Sequence, residues 1–475
     1  MVREAIDSYF ETHRRDYLDH LAALIAVDSS RSEELPGMPY GRGAAEVLEK
    51  TLKLANDFGL YTENWDNRLG IIQLRPGNER LLDIFAHLDV VPAGEGWTAT
   101  EPFVMKEDNG MIYGRGVIDD KGPALAAIYS LRAIKELGIK MKDNVRIMVG
   151  CDEECGGSEL KYYFMRTKAA PMTFTPDGNF PVVNTEKGRY CGHFCGTFTP
   201  VKLLPRLISL NAGLKDNVIP SSAEAVVKGM SMADLVPLMD SEGKVTGVEF
   251  TAVPKENDEI VITAQGVGGH ASIPQRCNNA LTAMLQLISR LPLQESEGNR
   301  LLRELAGLFP HGDYYGRNAG IFMEDKASGT ITVSLNLLHM SEETLNATFD
   351  ARIPVCADRE NLKPISEKAM AAGFTFTDDL SMTHHVPEDS YFVRVLLKNY
   401  EKYFCKPGKG VAIGGGTYVH SIENGVAFGC MEPGVDYHVH GADEFVPVEL
   451  LLTSGKIFAG TMIDLCGGGS READQ

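Results

Sequence analysis

The chain of 475 residues lacks any apolar run that approaches the roughly 20 residues of a membrane-spanning helix. Residues 1–20 are charged and contain no secretory apolar stretch. The nine cysteines form an odd, scattered set without Cys-x-x-Cys spacing, which argues against a disulfide scaffold and a zinc ribbon. The pairs Cys151/Cys155 and Cys191/Cys195 could bind metal, but small buried thiols are the favoured interpretation. We therefore expect a soluble, cytoplasmic protein.

Basic residues are too few to balance the acidic ones. The chain has 46 Lys and Arg against 65 Asp and Glu, a net charge of −19. Such a charge repels phosphate backbones and anionic lipids alike. Nucleic acid and membrane surfaces are thus excluded as expected partners, which leaves small molecules such as short peptides.

The chain is longer than one hydrophobic core usually organises, so we expect two or more domains. In its N-terminal part, apolar runs alternate with helical patterns. We predict strands and helices over Leu81–Ala86, Pro123–Leu137, Val145–Val149, Leu160–Phe164 and Met172–Thr175, in the order strand, helix, strand, helix, strand. The alternation predicts an α/β fold with a mostly parallel, doubly wound catalytic sheet.

The pattern changes after Gly188, where β-rich runs such as Glu259–Ala264 and Thr330–Leu337 become prominent, and a helical pattern resumes after Val386. We therefore predict an inserted α+β lid domain. Its two β-rich stretches, each followed by a helix, predict two lobes. The predicted boundaries are 1–187 and 386–475 for the two parts of the catalytic domain and 188–385 for the lid domain.

Acidic residues and one histidine accumulate where the carboxyl ends of the predicted parallel strands form a crevice. The set is His87, Asp89, Asp119, Asp120, Glu153, Glu154 and Asp177. A single Asp-Asp or Glu-Glu pair is far more often a solvated surface feature or a helix N-cap. Coincidence at four loops is harder to explain in that way. Because crowded carboxylates repel one another, a pair of cations is the natural counter-charge.

Three segments carry these residues: His87-Leu88-Asp89-Val90-Val91-Pro92, Gly114-Arg115-Gly116-Val117-Ile118-Asp119-Asp120-Lys121-Gly122 and Asp152-Glu153-Glu154-Cys155-Gly156. They resemble the signatures of the M20 metallopeptidase family, most of all its bacterial dipeptidase branch, the peptidase V type. The resemblance continues in order through Asp177, Asn217-Val218-Ile219-Pro220, Gly269-His270-Ala271-Ser272, Asp350-Ala351-Arg352, Gly414–Tyr418 and His440. It implies a dinuclear metal-dependent dipeptidase that hydrolyses dipeptides or short peptides with free termini.

The resemblance also implies the ligands of two divalent metal ions. His87 and Asp177 would hold one ion, Glu154 and His440 the other, and Asp119 would bridge both. Imidazole and carboxylate ligands suit Zn²⁺, with Mn²⁺ or Co²⁺ as alternatives.

Three further features near the metals follow from the same resemblance. Glu153 would be the general base that takes a proton from the metal-bridging water and delivers it to the leaving amine. Asp89 would orient the His87 ring. A cis peptide bond is implied between Asp119 and Asp120.

Other roles are implied for the insertion and for the Gly-rich segment Gly414–Tyr418. By resemblance, His270 would contact the developing oxyanion, Arg352 with Asn217 would hold the free carboxylate of the substrate, and Gly415 would also bind substrate. By sequence alone, His270 is an ordinary loop histidine and Arg352 a surface charge.

The chain departs from the family pattern at two positions. His420 stands where the family has an arginine, which leaves substrate preference open. Asp443 stands where the motif after the metal histidine has an asparagine. His438 competes with His440 as a ligand, but its spacing to Glu444 does not match the family motif.

We weigh three alternatives to a dipeptidase. An N-acyl-amino-acid deacylase or desuccinylase would use the same metals and base, but the long insertion favours the dipeptidase branch. A catalytically silent metal-binding homologue would commonly lack the base or a ligand, and none is missing here. A nucleic-acid module is excluded by charge. We also expect a monomer, because the long insertion could present His270 to its own metal site.

Overall fold

The computed structural model describes residues 2–77 and 79–468. The chain divides into two compact units. The first comprises Met1–Thr185, His385–Val411 and Gly416–Gln475, and the second comprises Glu186–His384 and Ala412–Gly415. The catalytic and lid roles assigned to the predicted domains stay predictions.

The first unit contains the alternating strands and helices that the sequence indicates. Its helices are Val2–Thr12, Arg14–Ile25, Arg42–Asp57, Lys121–Glu136, Ser158–Phe164, Tyr391–Phe404 and Val448–Cys466, with short 3-10 turns at Glu153–Cys155 and Tyr418–Ser421. Its strands are Tyr61–Trp65, Leu69–Gln73, Leu82–His87, Lys106–Asp108, Met111–Tyr113, Val145–Gly150, Met172–Thr175, Val182–Glu186, Gly425–Ala427 and Phe445–Pro447. The short strands His384–His385 and Gly410–Ile413 include positions where the chain passes between units.

The central sheet of this unit has a parallel core. Its neighbouring strands follow the order Tyr61–Trp65, Leu69–Gln73, Val145–Gly150, Leu82–His87, Met172–Thr175, Gly425–Ala427, Val182–Glu186. The four strands from Val145–Gly150 to Gly425–Ala427 are parallel, and antiparallel strands flank them. Leu82–His87 and Val145–Gly150 are buried along their whole length, as expected for parallel strands covered on both faces. The predicted α/β fold class is confirmed.

The opening segment differs from the prediction in one detail. The helical spacing from Ile6 to Ile25 predicts one amphipathic helix, whereas the structure has two helices that meet at His13. The His13 backbone leaves the helical region, with φ −99° and ψ 15°. Both helices bury their apolar residues in the core of the first unit, so the segment has a structural role.

The second unit is built on one antiparallel sheet. The strand order is Glu249–Pro254, Glu259–Gln265, Ser222–Lys228, Arg206–Ala212, Thr332–Met340, Thr344–Ile353, Gly188–Thr197, Thr375–Ser381. Its helices are Met232–Thr246, Ala280–Arg290, Glu297–Leu308 and Arg359–Ala371, with a 3-10 turn at Pro274–Arg276. Small two-stranded pairings join Val218–Ile219 to Gly269–His270 and Glu324–Asp325 to Gly329–Thr330.

The two lobes predicted for the insertion are the two halves of this sheet. Residues Leu210–Ala212 pair with Leu338–Met340 and make the halves continuous. The α+β character follows from the alternating burial of strands such as Glu259–Gln265, whose inward side chains meet the apolar face of Ala280–Arg290. No helix among residues 2–77 and 79–468 combines the length and apolarity that crossing a membrane requires.

Candidate metal centre

His87 ends the central strand Leu82–His87 and is completely buried. Its Nε2 atom lies 3.0 Å from Asp119 Oδ1 and 3.6 Å from Asp177 Oδ2. Burial alone would lower the pKa of His87, but the carboxylates of Asp119 and Asp177 raise it well above its ordinary value. These three side chains form the first group of candidate ligands, which we call the His87 group.

Asp119 connects this group to a second one. Its Oδ2 atom lies 3.0 Å from His440 Nε2, which in turn is 3.1 Å from Glu154 Oε1. Asp119, Glu154 and His440 form the His440 group. Burial acts to raise the pKa of Asp119, but the two histidines hold it well below its usual range. One carboxylate oxygen thus faces each histidine, which is the arrangement that a bridging ligand requires.

The donors suit divalent metal ions in number and chemistry. Each group offers one imidazole nitrogen and two carboxylates, with ligand atoms within 4.8 Å of one another, a set that binds Zn²⁺, Mn²⁺ or Co²⁺. His87 Nε2 is buried and has no properly oriented hydrogen bond within the described part of the chain. A buried nitrogen of this kind needs a partner, and a cation would supply one.

Glu153 lies in the short turn Glu153–Cys155, directly before the candidate ligand Glu154. Burial raises the pKa of Glu153 to about 8, and the nearby carboxylates of Asp177 and Glu154 act in the same direction. In the metal-free chain this carboxyl can therefore gain or lose a proton near neutral pH, which is the property that general acid and base chemistry uses.

Asp89 contacts the centre in a way that the resemblance did not indicate. His87 Nδ1 lies 3.0 Å from the backbone oxygen of Asp89, and 3.6 Å from its carboxylate. The carboxylate instead accepts the backbone N–H groups of Glu153 at 3.2 Å and Glu154 at 3.1 Å. Asp89 therefore fixes the turn that presents both glutamates, while its main chain orients the histidine ring.

Several supporting residues were not assigned from the sequence. The carboxylate of Glu444 is buried and accepts hydrogen bonds from the backbone N–H groups of Gly116, Ile118 and Asp119. It also forms an ion pair with Arg115, whose Nη1 donates to it at 2.7 Å. These bonds shape the loop that ends in the cis peptide between Asp119 and Asp120, whose presence agrees with the expectation. From the sequence, this motif predicts only its histidine, and the role of Glu444 becomes visible in the structure alone.

Two further buried side chains hold the same region. Asp120 Oδ2 accepts the backbone N–H of His87 at 3.0 Å. The Nζ atom of Lys121 donates to the backbone oxygens of Leu24 and Val27 at 3.1 and 2.8 Å. Within the Gly-rich segment, the ring of Tyr418 lies edge-on to the His87 ring at 6.0 Å, and its hydroxyl donates to Glu159.

The residues at which the chain departs from the family pattern also lie in the first unit. His420 belongs to the turn Tyr418–Ser421. His438 is exposed and packs against the ring of Phe445, with centroids 5.5 Å apart, and it belongs to neither ligand group. Asp443 contacts Thr98 and Ala99.

The predicted substrate-binding residues lie in the second unit. Val218, next to Asn217, pairs with His270 across a short ladder, and His270 Nδ1 is 2.7 Å from Ser272 Oγ. Arg352 is nearly buried: its Nε donates to Asp350 at 2.7 Å and its Nη1 to the Gly414 carbonyl, beside Gly415, at 2.7 Å. Arg189, which the sequence did not single out, also donates to Asp350, at 2.5 Å.

The pattern of peptidase family M20/M25/M40 matches residues 84–464, about four fifths of the chain. The chain belongs to this peptidase family. The resemblance inferred from the motifs and the prediction of an enzyme are therefore confirmed. Membership of this family implies divalent metal ions. The two ligand groups of the first unit offer donors for such ions.

Similar proteins cover nearly the whole chain. A Beta-Ala-Xaa dipeptidase of Lactobacillus delbrueckii subsp. lactis is 33% identical over 463 residues, 96% of this chain and 97% of that protein. The structure of human carnosine dipeptidase 1 superposes with a TM-score of 0.59 at 15% identity, over 98% and 99% of the two chains. An aminoacylhistidine dipeptidase from Vibrio alginolyticus gives 0.57 at 13% identity, over 94% and 96%. At these identities the structures show a shared fold.

Proposed function

We propose that the chain is a dinuclear metal-dependent dipeptidase that hydrolyses dipeptides or short peptides with free termini. The observation that carries the proposal is the position of Asp119, whose two oxygens each lie 3.0 Å from a different candidate histidine ligand. Family membership supports it, as does the 33% identity to a protein named a Beta-Ala-Xaa dipeptidase.

Each candidate residue then has a separate task. His87 and Asp177 would hold one ion, Glu154 and His440 the other, with Asp119 between them. When bound, two divalent ions lower the pKa of water and stabilise charge on a peptide carbonyl. Glu153 takes the proton from the attacking water and returns it to the departing amine. Asp89 keeps Glu153 and Glu154 in place through their backbone N–H groups.

Replacement of Glu153 tests the proposal. We expect Glu153→Ala to lower kcat for dipeptides by about 10²–10⁴-fold or more, the usual contribution of a general base, and to keep two metal ions per chain. Elemental analysis after dialysis measures the second quantity. Glu423→Ala removes an exposed glutamate of the same unit and serves as the control. Loss of metal in Glu153→Ala would make Glu153 a ligand instead.

The substrate-binding roles rest on the family resemblance. We propose that His270 stabilises the oxyanion, that Arg352 and Asn217 bind the C-terminal carboxylate of the substrate, and that Gly415 also contacts the substrate. Arg352 Nη1 donates to the Gly414 carbonyl, and a substrate carboxylate would accept from the other N–H groups of the guanidinium or replace that carbonyl. Amidation of the C-terminus of the dipeptide should then lower kcat/KM by an amount that corresponds to about 2–4 kcal/mol of transition-state stabilisation. Equal turnover of acid and amide would refute the clamp.

Comparison with N-acetylated amino acids separates the proposal from a deacylase. We expect dipeptides with a free amino group to be the better substrates. A preference of the purified chain for N-acyl or N-succinyl amino acids would replace the proposed function with the deacylase alternative. Parallel assays with Zn²⁺, Mn²⁺ and Co²⁺ identify the metal that supports turnover, for which we propose Zn²⁺.

We further propose that the enzyme acts as a cytoplasmic monomer. A sedimentation mass of one chain at assay concentration is the expected result. Mixing His270→Ala with Glu153→Ala chains should restore no activity, because each chain would carry one complete site. Recovered activity would show that sites are shared between chains.

A further inference from the structure

The segment Tyr437–Glu444 carries His440 and differs in build from the strand that carries His87. Three of its residues that are not glycine have positive φ: His438 at 56°, His440 at 63° and Asp443 at 55°. Such backbone conformations are uncommon and persist where surrounding contacts fix them. The His440 side chain is 55% exposed, so little packing holds it. Polar contacts of the segment must therefore place this ligand.

Asp443 supplies three of these contacts. Its Oδ1 accepts the backbone N–H groups of Thr98 and Ala99, each at 2.8 Å, and its Oδ2 accepts the Thr98 hydroxyl at 2.6 Å. The hydrogen bond from the Thr98 hydroxyl lowers the pKa of Asp443 below its ordinary value. Two residues separate Asp443 from His440 in the sequence. The Asp443 carboxylate thus connects the segment Tyr437–Glu444 to the loop that contains Thr98 and Ala99.

A second anchor lies beside the first. The buried carboxylate of Glu444 holds the Gly116–Asp119 loop. Arg115 connects the same parts: it donates to Glu444 at 2.7 Å, and to the Gly441 carbonyl at 2.9 Å. Glu444 holds the end of the segment against the Gly116–Asp119 loop. Asp443 holds the same segment against Thr98 and Ala99. Neither contact is made by His440 itself.

From this geometry, and resting on the proposed function, we infer that Asp443 is a positioning residue for the second metal ion: its hydrogen bonds to Thr98 and Ala99 set the place of His440. The chemistry also explains the departure from the family asparagine. An asparagine oxygen could accept both N–H groups, and its NH₂ could donate to the Thr98 hydroxyl, which accepts as well as donates. Either residue can make three bonds, whereas alanine makes none.

Titration of the metal-free, full-length chain with Zn²⁺ against a competing chelator tests the inference. Wild type should bind two ions, and His440→Ala identifies the step that depends on His440. We expect Asp443→Ala to weaken that same step by about 10–100-fold, the usual effect of removing a group that orients a metal ligand, and to leave the other step unchanged. Asp443→Asn should restore most of the affinity.

Substitutions at Thr98 give a second, milder measurement. Thr98→Ser keeps the hydroxyl and should bind Zn²⁺ as wild type does. Thr98→Val removes one of the three bonds and should weaken the His440 step less than Asp443→Ala. Asp108→Ala, which removes an exposed carboxylate of the same unit, controls for the loss of negative charge. If Asp443→Ala failed to fold, the two Thr98 variants would still decide the matter.

Two outcomes would overturn the inference. Unchanged Zn²⁺ affinity in Asp443→Ala would show that His440 needs no such anchor. Equal weakening in Asp443→Asn and Asp443→Ala would assign the effect to charge and not to hydrogen bonding. The titration does not depend on hydrolysis: a chain that binds two ions in the expected pattern but cleaves no dipeptide would refute the proposed function alone.

Discussion

The two ligand groups of the candidate metal centre share Asp119 but are built differently. His87 is fully buried at the end of a strand whose residues are buried throughout, and its ring is covered by Tyr418. His440 is 55% exposed and lies on an irregular segment with positive φ angles. The first histidine is placed by the packing of a sheet, and the second by a set of polar anchors.

This difference indicates how each group should respond to damage. A residue fixed by dense packing has few alternative positions, and its removal disturbs the core. A residue on an anchored segment loses its position when a hydrogen bond is removed, while the fold survives. The His87 group should therefore couple metal binding to stability, and the His440 group should couple it to the hydrogen bonds of its loop.

The largest effect is expected where the two groups meet. Asp119→Ala removes the carboxylate that contacts both histidines, so we expect loss of both metal ions and of all hydrolysis. Elemental analysis after dialysis and a dipeptide assay measure the two losses. Asp108→Ala is the matched control on the surface of the same unit. Retention of two ions by Asp119→Ala would show that Asp119 does not bridge.

The next effect contrasts the two histidines in metal-free protein. His87→Ala leaves the Asp119 and Asp177 carboxylates without a buried partner, and we expect it to lower the free energy of unfolding by about 3–5 kcal/mol. His440→Ala removes a partner that is 55% exposed and therefore screened by solvent, so it should lower the free energy of unfolding less than His87→Ala does. Urea denaturation in the presence of a chelator gives both values. Similar losses would contradict the comparison.

A smaller effect is expected at Asp89, which contacts both groups. Its carboxylate accepts two backbone N–H groups, those of Glu153 and Glu154. An amide cannot accept both in the same way, because its NH₂ is only a donor. Asp89→Asn should thus lower metal affinity or kcat by about 10–100-fold, whereas we expect Asp443→Asn to keep most of the affinity. Wild-type values would show that the turn needs no such support.

The most gradual effect, spread over several pH units, is the dependence of metal affinity on pH. Hydrogen bonds to Asp119 and Glu154 raise the pKa of His440 from 6.5 to about 10 in the metal-free chain. The stability from protonated His440 is fully present below pH 6.5 and is lost as the pH rises through about 10. Because a metal must displace this proton, its affinity should rise by up to about tenfold per pH unit in that window.

Calorimetry in buffers of different ionisation enthalpy measures the protons released when Zn²⁺ binds. His440→Ala should release fewer protons than wild type when an ion binds to the remaining ligands of the His440 group. Its metal affinity should also depend less steeply on pH. A release that is identical in the two proteins would mean that His440 is not protonated in the metal-free chain.

The parallel strands and their acidic ends were predictable because burial on both faces leaves a continuous apolar run in the sequence. The strand predicted at Leu81–Ala86 lies at Leu82–His87, and that at Met172–Thr175 has the predicted bounds. His87 is the last residue of one such strand, and Asp177 lies two positions after the end of another. His440 could be assigned only by resemblance, since an irregular segment leaves no periodic pattern.

The sequence by itself determined the α/β class, the inserted α+β segment and the family, because periodicity and ordered motifs are local properties of the chain. Only the tertiary structure decided that the Asp89 carboxylate holds the Glu153–Glu154 turn, that Glu444 shapes the Asp119 loop, and that Asp443 bonds Thr98 and Ala99. Each of these bonds joins residues more than 60 positions apart. Such partners meet only after folding has brought their loops to the same edge of the sheet.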